Sequence, residues 1–223
     1  MDAKSGLILL IAAGFILLVT ISSYTQHTPD DIKAFVRTDY EHGIPYDQSV
    51  KFDKTVVPTL LEMLKDPREQ NWWGNIIATL GVIGDARAVN PLISFLERDV
   101  RGEVDPRLLS ALLSVPTALG HIAAKGNDQA IDYLIANSRS ATLRAKKIPW
   151  KFGALSGDQL QMPLMKASIL GLGISAQPRA MQALEQMQAA PDTEATKQTV
   201  SEALNLAAEI KSKSRMQVFS KHP

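Results

Sequence analysis

The feature that most constrains the fold is a helical hairpin written into residues 73–96, with weaker copies before and after it. Trp73, Ile76, Ile77, Leu80 and Ile83 fall at the i, i+3, i+4, i+7 spacing of one helix face. Gly84-Asp85 ends that stripe, because glycine takes the left-handed conformation common just past a helix end. A second stripe of Ala88, Val89, Leu92, Ile93 and Leu96 begins at once and closes at Glu97-Arg98-Asp99. The stretch predicts helix, tight turn, helix, with two apolar faces able to meet.

The second stripe recurs as Ala130, Ile131, Leu134 and Ile135, and again as Ala180, Met181 and Leu184, with an upstream copy in Val57, Leu60, Leu61 and Leu64. The first recurs through its Leu-Gly pair: Leu80-Gly81, Leu119-Gly120, Leu170-Gly171. Each pair precedes a break, at Gly84-Asp85, Gly126-Asn127-Asp128 and Ser175-Ala176-Gln177-Pro178. A small residue recurring where helices cross lets their backbones approach closely. One such hairpin cannot bury its own stripe, so self-similarity at this period predicts stacked neighbours sharing a continuous core.

The Leu-Gly, Gly-Asp, Arg-Ala-Val order followed by a Leu-rich helix, clearest over residues 80–96, resembles the HEAT repeat family, particularly the short repeats related to phycobilisome lyases. The resemblance is fair over 53–66 and 119–137 and weak over 164–189. It implies an all-α fold, an α-α superhelix whose second helices line a concave side, and binding in preference to catalysis. The expected fold is therefore an all-α, HEAT-like solenoid over residues 53–212, preceded by a first helix and linker over 27–52 and followed by a basic tail over 213–223. Thr28-Pro29-Asp30-Asp31 reads as an N-cap, a proline in the first turn and acidic residues against the helix dipole, opening a helix that runs to His42-Gly43. Thr193 to Ser212 reads as a capping helix, with Val200, Ala203, Leu204, Ala207 and Ile210 on one face.

A different solvent is implied at the start of the chain. From Ser5 to Tyr24 there are 20 uncharged residues, enough to cross about 30 Å of hydrocarbon as a helix. Eleven of the residues from Leu7 to Ile21 are Leu, Ile, Val or Phe, and every helix face is apolar. Residues 1–26 are expected to form a cytoplasmic tip and an uncleaved signal anchor; a cleaved secretory peptide is the alternative. Lys4 before the segment and Asp30 and Asp31 after it favour an N-terminus inside and the body outside the cytoplasmic membrane, most simply in a bacterial periplasm.

Composition removes several functions. The chain has no cysteine, which excludes disulfides, thiolate zinc sites, a cysteine nucleophile and thioether attachment of a chromophore. His27, His42, His121 and His222 are scattered without ligand spacing, so no metal is expected. Gly171-Leu172-Gly173-Ile174-Ser175-Ala176 matches a dinucleotide-binding spacing but lies in a helical pattern with Pro178 behind it, and reads as helix-end glycines. No cofactor is expected. A net charge of +1 gives no field for nucleic acid, although residues 30–106 carry 9 Lys/Arg against 14 Asp/Glu and residues 107–223 carry 14 against 8. That polarity is an orientation cue for a partner.

Three features are candidates for binding. Subtracting the core register leaves a polar stripe of Asn90, Ser94, Glu97, Asp132, Ala136, Gln182 and Gln186, suited to a protein loop or an extended peptide. Trp72 cannot share the stripe of Trp73, because adjacent helix residues point about 100° apart; it packs under the 47–53 loop or offers a ring to a partner. Residues 139–158 form an insertion in which Arg139, Arg144, Lys146, Lys147 and Lys151 are interleaved with Ile148, Trp150 and Phe152. This segment is either a surface for an anionic partner or lipid headgroups, or a loop folded back with Trp150 as its plug. The expected function is a membrane-anchored scaffold or adaptor for another protein. The rivals are a lyase-like enzyme or enzyme subunit, which would need a pocket with convergent titratable groups, and a lipid-surface binder acting through residues 139–152.

Overall fold

The computed structural model describes residues 27–98, 100, 102–146, 148–191 and 193–220. The anchor expected over residues 5–24 lies outside the described residues, as does Lys147. Among the described residues no helix is long and apolar enough to cross a membrane. The described chain is all-α in character, mostly helical with two strands of two residues each.

The helices are α1 (Pro29–Val36), α2 (Tyr46–Ser49), α3 (Val57–Lys65), α4 (Trp73–Ile83), α5 (Val89–Leu96), α6 (Pro106–Ala123), α7 (Asp128–Asn137), α8 (Ser140–Lys146), α9 (Gly157–Ser175), α10 (Pro178–Ala189), α11 (Glu194–Ser212) and α12 (Arg215–Phe219). Their contacts follow chain order. One row is formed by α4 on α6, α6 on α9 and α9 on α11; in the other, α3 lies on α4, α5 on α6, α7 on α6 and α9, and α10 on α9 and α11. A single apolar cluster runs through both rows from Ile32 to Ala203.

The turn at Gly84-Asp85 has a simple local cause. Gly84 closes α4 at φ 71°, donating its N–H to the Leu80 carbonyl at 3.1 Å. The Asp85 carboxylate then accepts the Arg87 N–H at 2.8 Å, starting a short 3-10 turn over Ala86–Ala88 that leads into α5. Arg87 returns its guanidinium to Asp85 at 2.8 Å and donates to the Lys54 carbonyl at 2.8 Å, tying the turn to the preceding hairpin. This pairing and the Arg87 N–H hold the buried Asp85 carboxyl below its usual range, against the opposing effect of burial. The same Asp-x-Arg device opens the turn before α4: Asp66 accepts the Arg68 N–H at 2.9 Å and pairs with its side chain.

The recurring glycines mark helix crossings. A Cβ on Gly81 of α4 would come 2.6 Å from the Ala118 Cα of α6, and one on Gly120 of α6 would run into the Gly171 backbone of α9. A Cβ on Gly173 would come 2.5 Å from the Ala203 carbonyl of α11. Gly171 and Gly173 thus serve two crossings on opposite sides of α9. Both lie in the last turn and a half of α9, which ends at Ser175, but neither is the left-handed residue that closes it: Ala176 takes that conformation at φ 51°.

Two further expectations shift, and one open choice closes. The helix expected from Pro29 to His42-Gly43 stops at Val36, because the Asn75 side chain takes the Val36 and Thr38 carbonyls, both at 3.0 Å, in place of next-turn amides. Along α5 the buried residues are Val89, Leu92 and Phe95, while Ile93 and Leu96 are only partly buried. Phe95 turns inward to meet the Trp73 ring edge to face, with centroids 5.2 Å apart. Of the two readings of the 139–158 segment, the folded-back one with Trp150 as its plug matches the structure. After α8, Trp150–Lys151 pairs in parallel with Gly102–Glu103, the Val104 N–H donates to the Lys151 carbonyl at 2.9 Å, and Trp150 is buried.

Candidate functional site

The second-row helices α5, α7 and α10 present the polar stripe expected from the sequence: Asn90, Ser94, Glu97, Asp132, Gln182 and Gln186 are all exposed. Side chains clasp one helix to the next. Gln129 donates to Asn90 at 2.7 Å, Tyr133 donates its hydroxyl to Glu97 at 3.1 Å, and Arg179 pairs with Asp132. Three of the expected contact residues therefore help fix the helix spacing, while Ser94, Gln182 and Gln186 stand on the rigid face so produced.

Where the stripe meets the 140–150 segment, the structure opens a cavity of about 360 Å³. Its apolar wall comes from Leu96, Leu143, Ile148, Pro149, Trp150 and Leu164, and its polar rim from Glu97, Arg98, Tyr133, Asn137, Lys146 and Ser168. Glu97, Lys146 and Trp150, singled out separately in the sequence, are thus brought together. Lys146 reaches Glu97 at 2.5 Å and lies 4.8 Å from the Tyr133 ring centroid. Burial and the neighbouring Glu97 charge raise the Tyr133 phenol far above its usual range, so it stays a neutral donor.

Arg98, just past the end of α5, borders this cavity and the adjoining groove lined by Asn90, Ser94 and Trp73. Its guanidinium lies 3.3 Å from the Phe95 ring centroid and 4.6 Å from that of Trp73, and its Nε donates to the Phe95 carbonyl at 2.9 Å. No carboxylate among the described residues pairs with it. Burial alone pushes its pKa down to about 10, leaving it a cation at neutral pH.

The other expected residues lie apart from this cavity. Arg144 borders a separate opening with Asp158 and Gln161, Lys151 is exposed on the short strand, and Trp72 is half-buried against the core. Arg98, Tyr133, Asn137 and Arg179 were missed as site residues. The available signal for Arg98 was its position three residues after Phe95 at a helix end, where an arginine can cap carbonyls and cover a ring. No group of three or more His, Asp or Glu residues suited to a metal occurs among the described residues.

Within the expected basic tail, residues 215–219 form α12 and Arg215 turns inward. It approaches His121 Nδ1 at 3.3 Å and donates to the Ile174 carbonyl. The His121, Tyr46 and Phe219 rings gather there, so α2 and α12 meet on α6.

No protein-family model matches the chain, and no curated protein matches it significantly.

Proposed function

We propose that this chain is a membrane-anchored, HEAT-like α-solenoid that acts outside the cytoplasmic membrane as a scaffold or adaptor for another protein, which it holds through an extended segment or loop. The observation that carries the reading is the clasped face of α5, α7 and α10. Asn90, Glu97 and Asp132 each engage the neighbouring helix, and Ser94, Gln182 and Gln186 remain exposed on the same row. A surface held rigid by its own polar clasps loses little entropy on binding, and a neutral, amide-rich row suits backbone groups better than phosphate. The serial contacts and crossing glycines support the solenoid part of the proposal. The uncharged run before Tyr24 and the flanking charges support the anchor and its orientation, with cleavage and secretion as the alternative.

Photo-crosslinkers at Ser94 and Gln182 in the full-length chain, activated in the native membrane, are expected to trap one and the same protein. Diffuse labelling at both positions would overturn the scaffold.

The cavity gives some support to the rival enzyme reading, because titratable groups converge on it. Among the described lining residues, however, Glu97 receives both Lys146 and Tyr133, and the remaining titratable group, Arg98, is a cation, which leaves neither a free base nor an activated nucleophile there. Lipid binding through the basic segment loses one of its cations to the same pair.

A further inference from the structure

We propose that the cavity between α5, α7 and the 140–150 segment binds a small organic monocarboxylate with an apolar body, its carboxylate seated on Arg98 and its body against Trp150 and Ile148. The site shares Glu97 and Tyr133 with the clasped face, and its test uses different residues.

Charge within the cavity is the first argument. The described lining residues include two cations, Arg98 and Lys146, and one carboxylate, Glu97. Lys146 sits 2.5 Å from Glu97 and the Tyr133 hydroxyl 3.1 Å from it, so the negative charge is already taken up. Among the described residues Arg98 is left as the uncompensated cation, and a half-buried charge of this kind is costly unless something pairs with it. One ligand charge of −1 balances the described lining residues; a dianion would exceed it.

Geometry then selects the anion. Stacking on Phe95 and Trp73 and the Nε bond to the Phe95 carbonyl fix the plane of the guanidinium. Both Nη groups lack acceptors among the described residues, which leaves a fixed planar fork for a planar two-oxygen partner. The rest of the ligand is set by the wall, since Leu96, Leu143, Ile148, Trp150 and Leu164 offer almost only carbon. A cavity of about 360 Å³ lies at the small end of the range for organic ligands, enough for an aryl or medium-chain alkyl carboxylate.

The test titrates the full-length chain in phosphatidylcholine nanodiscs with 4-butylbenzoate and with its neutral counterpart 4-butylbenzamide, followed by ligand-observed NMR against empty nanodiscs. The carboxylate is expected to bind about tenfold or more tightly than the amide, the factor a charge-assisted bidentate contact supplies. Arg98→Met keeps an apolar stem over Phe95 and removes the fork, and should abolish the preference while leaving amide binding in place. Equal affinity of the two probes for the unaltered chain would overturn the proposal, as would a preference that survives Arg98→Met. Should that variant fail to fold, Arg98→Lys decides: a reduced preference supports the fork, and an unchanged one overturns it. Crosslinking at Ser94 and Gln182 is expected to be indifferent to either probe, so the carboxylate site and the scaffold stand or fall separately.

Discussion

At the scale of single residues, the glycines carry the most testable weight. Gly120 lies where α6 crosses α9, and a methyl group there would meet the Gly171 backbone, which has no side chain to move aside. Gly120→Ala should therefore force the helices apart and lower stability by about 2–3 kcal/mol, read from the thermal or denaturant midpoint. Gly74, also in a helix, has nothing within 4 Å of where its Cβ would be. Gly74→Ala should raise stability by about 0.5 kcal/mol through loss of unfolded-chain freedom. Opposite signs for one chemical change would identify crossing contacts, not helix propensity, as the role of the Leu-Gly pairs. The Leu80-Gly81 and Leu119-Gly120 repeats were legible as crossings in the sequence because a small residue recurs at one register. The split duty of Gly171 and Gly173 was not, since a single spacing fits both a helix end and two opposed crossings.

At the scale of elements, local chemistry explains which boundaries could be read. Caps that use neighbouring residues are visible in sequence: Thr28 with Asp31 opens α1, and Gly84 with Asp85 and Arg87 joins α4 to α5. Boundaries set by distant partners are hidden, as when Asn75 ends α1 from 37 or more positions away. Helix α12 belongs to the hidden class, because Arg215 docks on His121, 94 positions away, and on the end of α9. Burial first, then the Arg215 and Lys125 charges, push the His121 pKa down to about 3, whereas an unfolded histidine titrates near about 6.5. Above about pH 6.5 both states hold His121 neutral and this stabilisation is fully present. Below it the unfolded chain gains a proton that the folded chain refuses, so stability falls as pH falls until about pH 3. The slope is about 1.4 kcal/mol per pH unit, or about 2 kcal/mol between about pH 7 and about pH 5. His121→Gln should remove that component, so the variant's denaturant midpoint should fall less than that of the unaltered chain over the same interval.

At the scale of the whole molecule, the order of contacts matters more than their number. Each first-row helix meets its neighbours in the series α4, α6, α9, α11, and the cavity residues come from α5, α7 and the 140–150 segment beside them. The 139–158 insertion supplies Trp150 to the core, so the residues that looked most like an appendage close the side of the array where the clasped face ends. The folding back of this segment with Trp150 as its plug was one of the two readings the sequence offered; the strand pairing was illegible, because nothing near Trp150 signals that Gly102 and Glu103, nearly fifty positions upstream, would pair with its strand. A chain whose helices stack serially in two rows should also come apart in serial order. Gly173→Ala wedges α9 from α11 at Ala203 and should loosen one end of the array. Amide hydrogen exchange is then expected to speed up strongly over α10 to α12 while α4 and α5 keep their protection. One qualification is structural: α12 touches α2, so α2 should exchange faster along with the far end. Uniform loss of protection from α3 to α11 would instead mean that the apolar cluster yields as one cooperative unit, and would remove the serial stacking on which the solenoid reading depends.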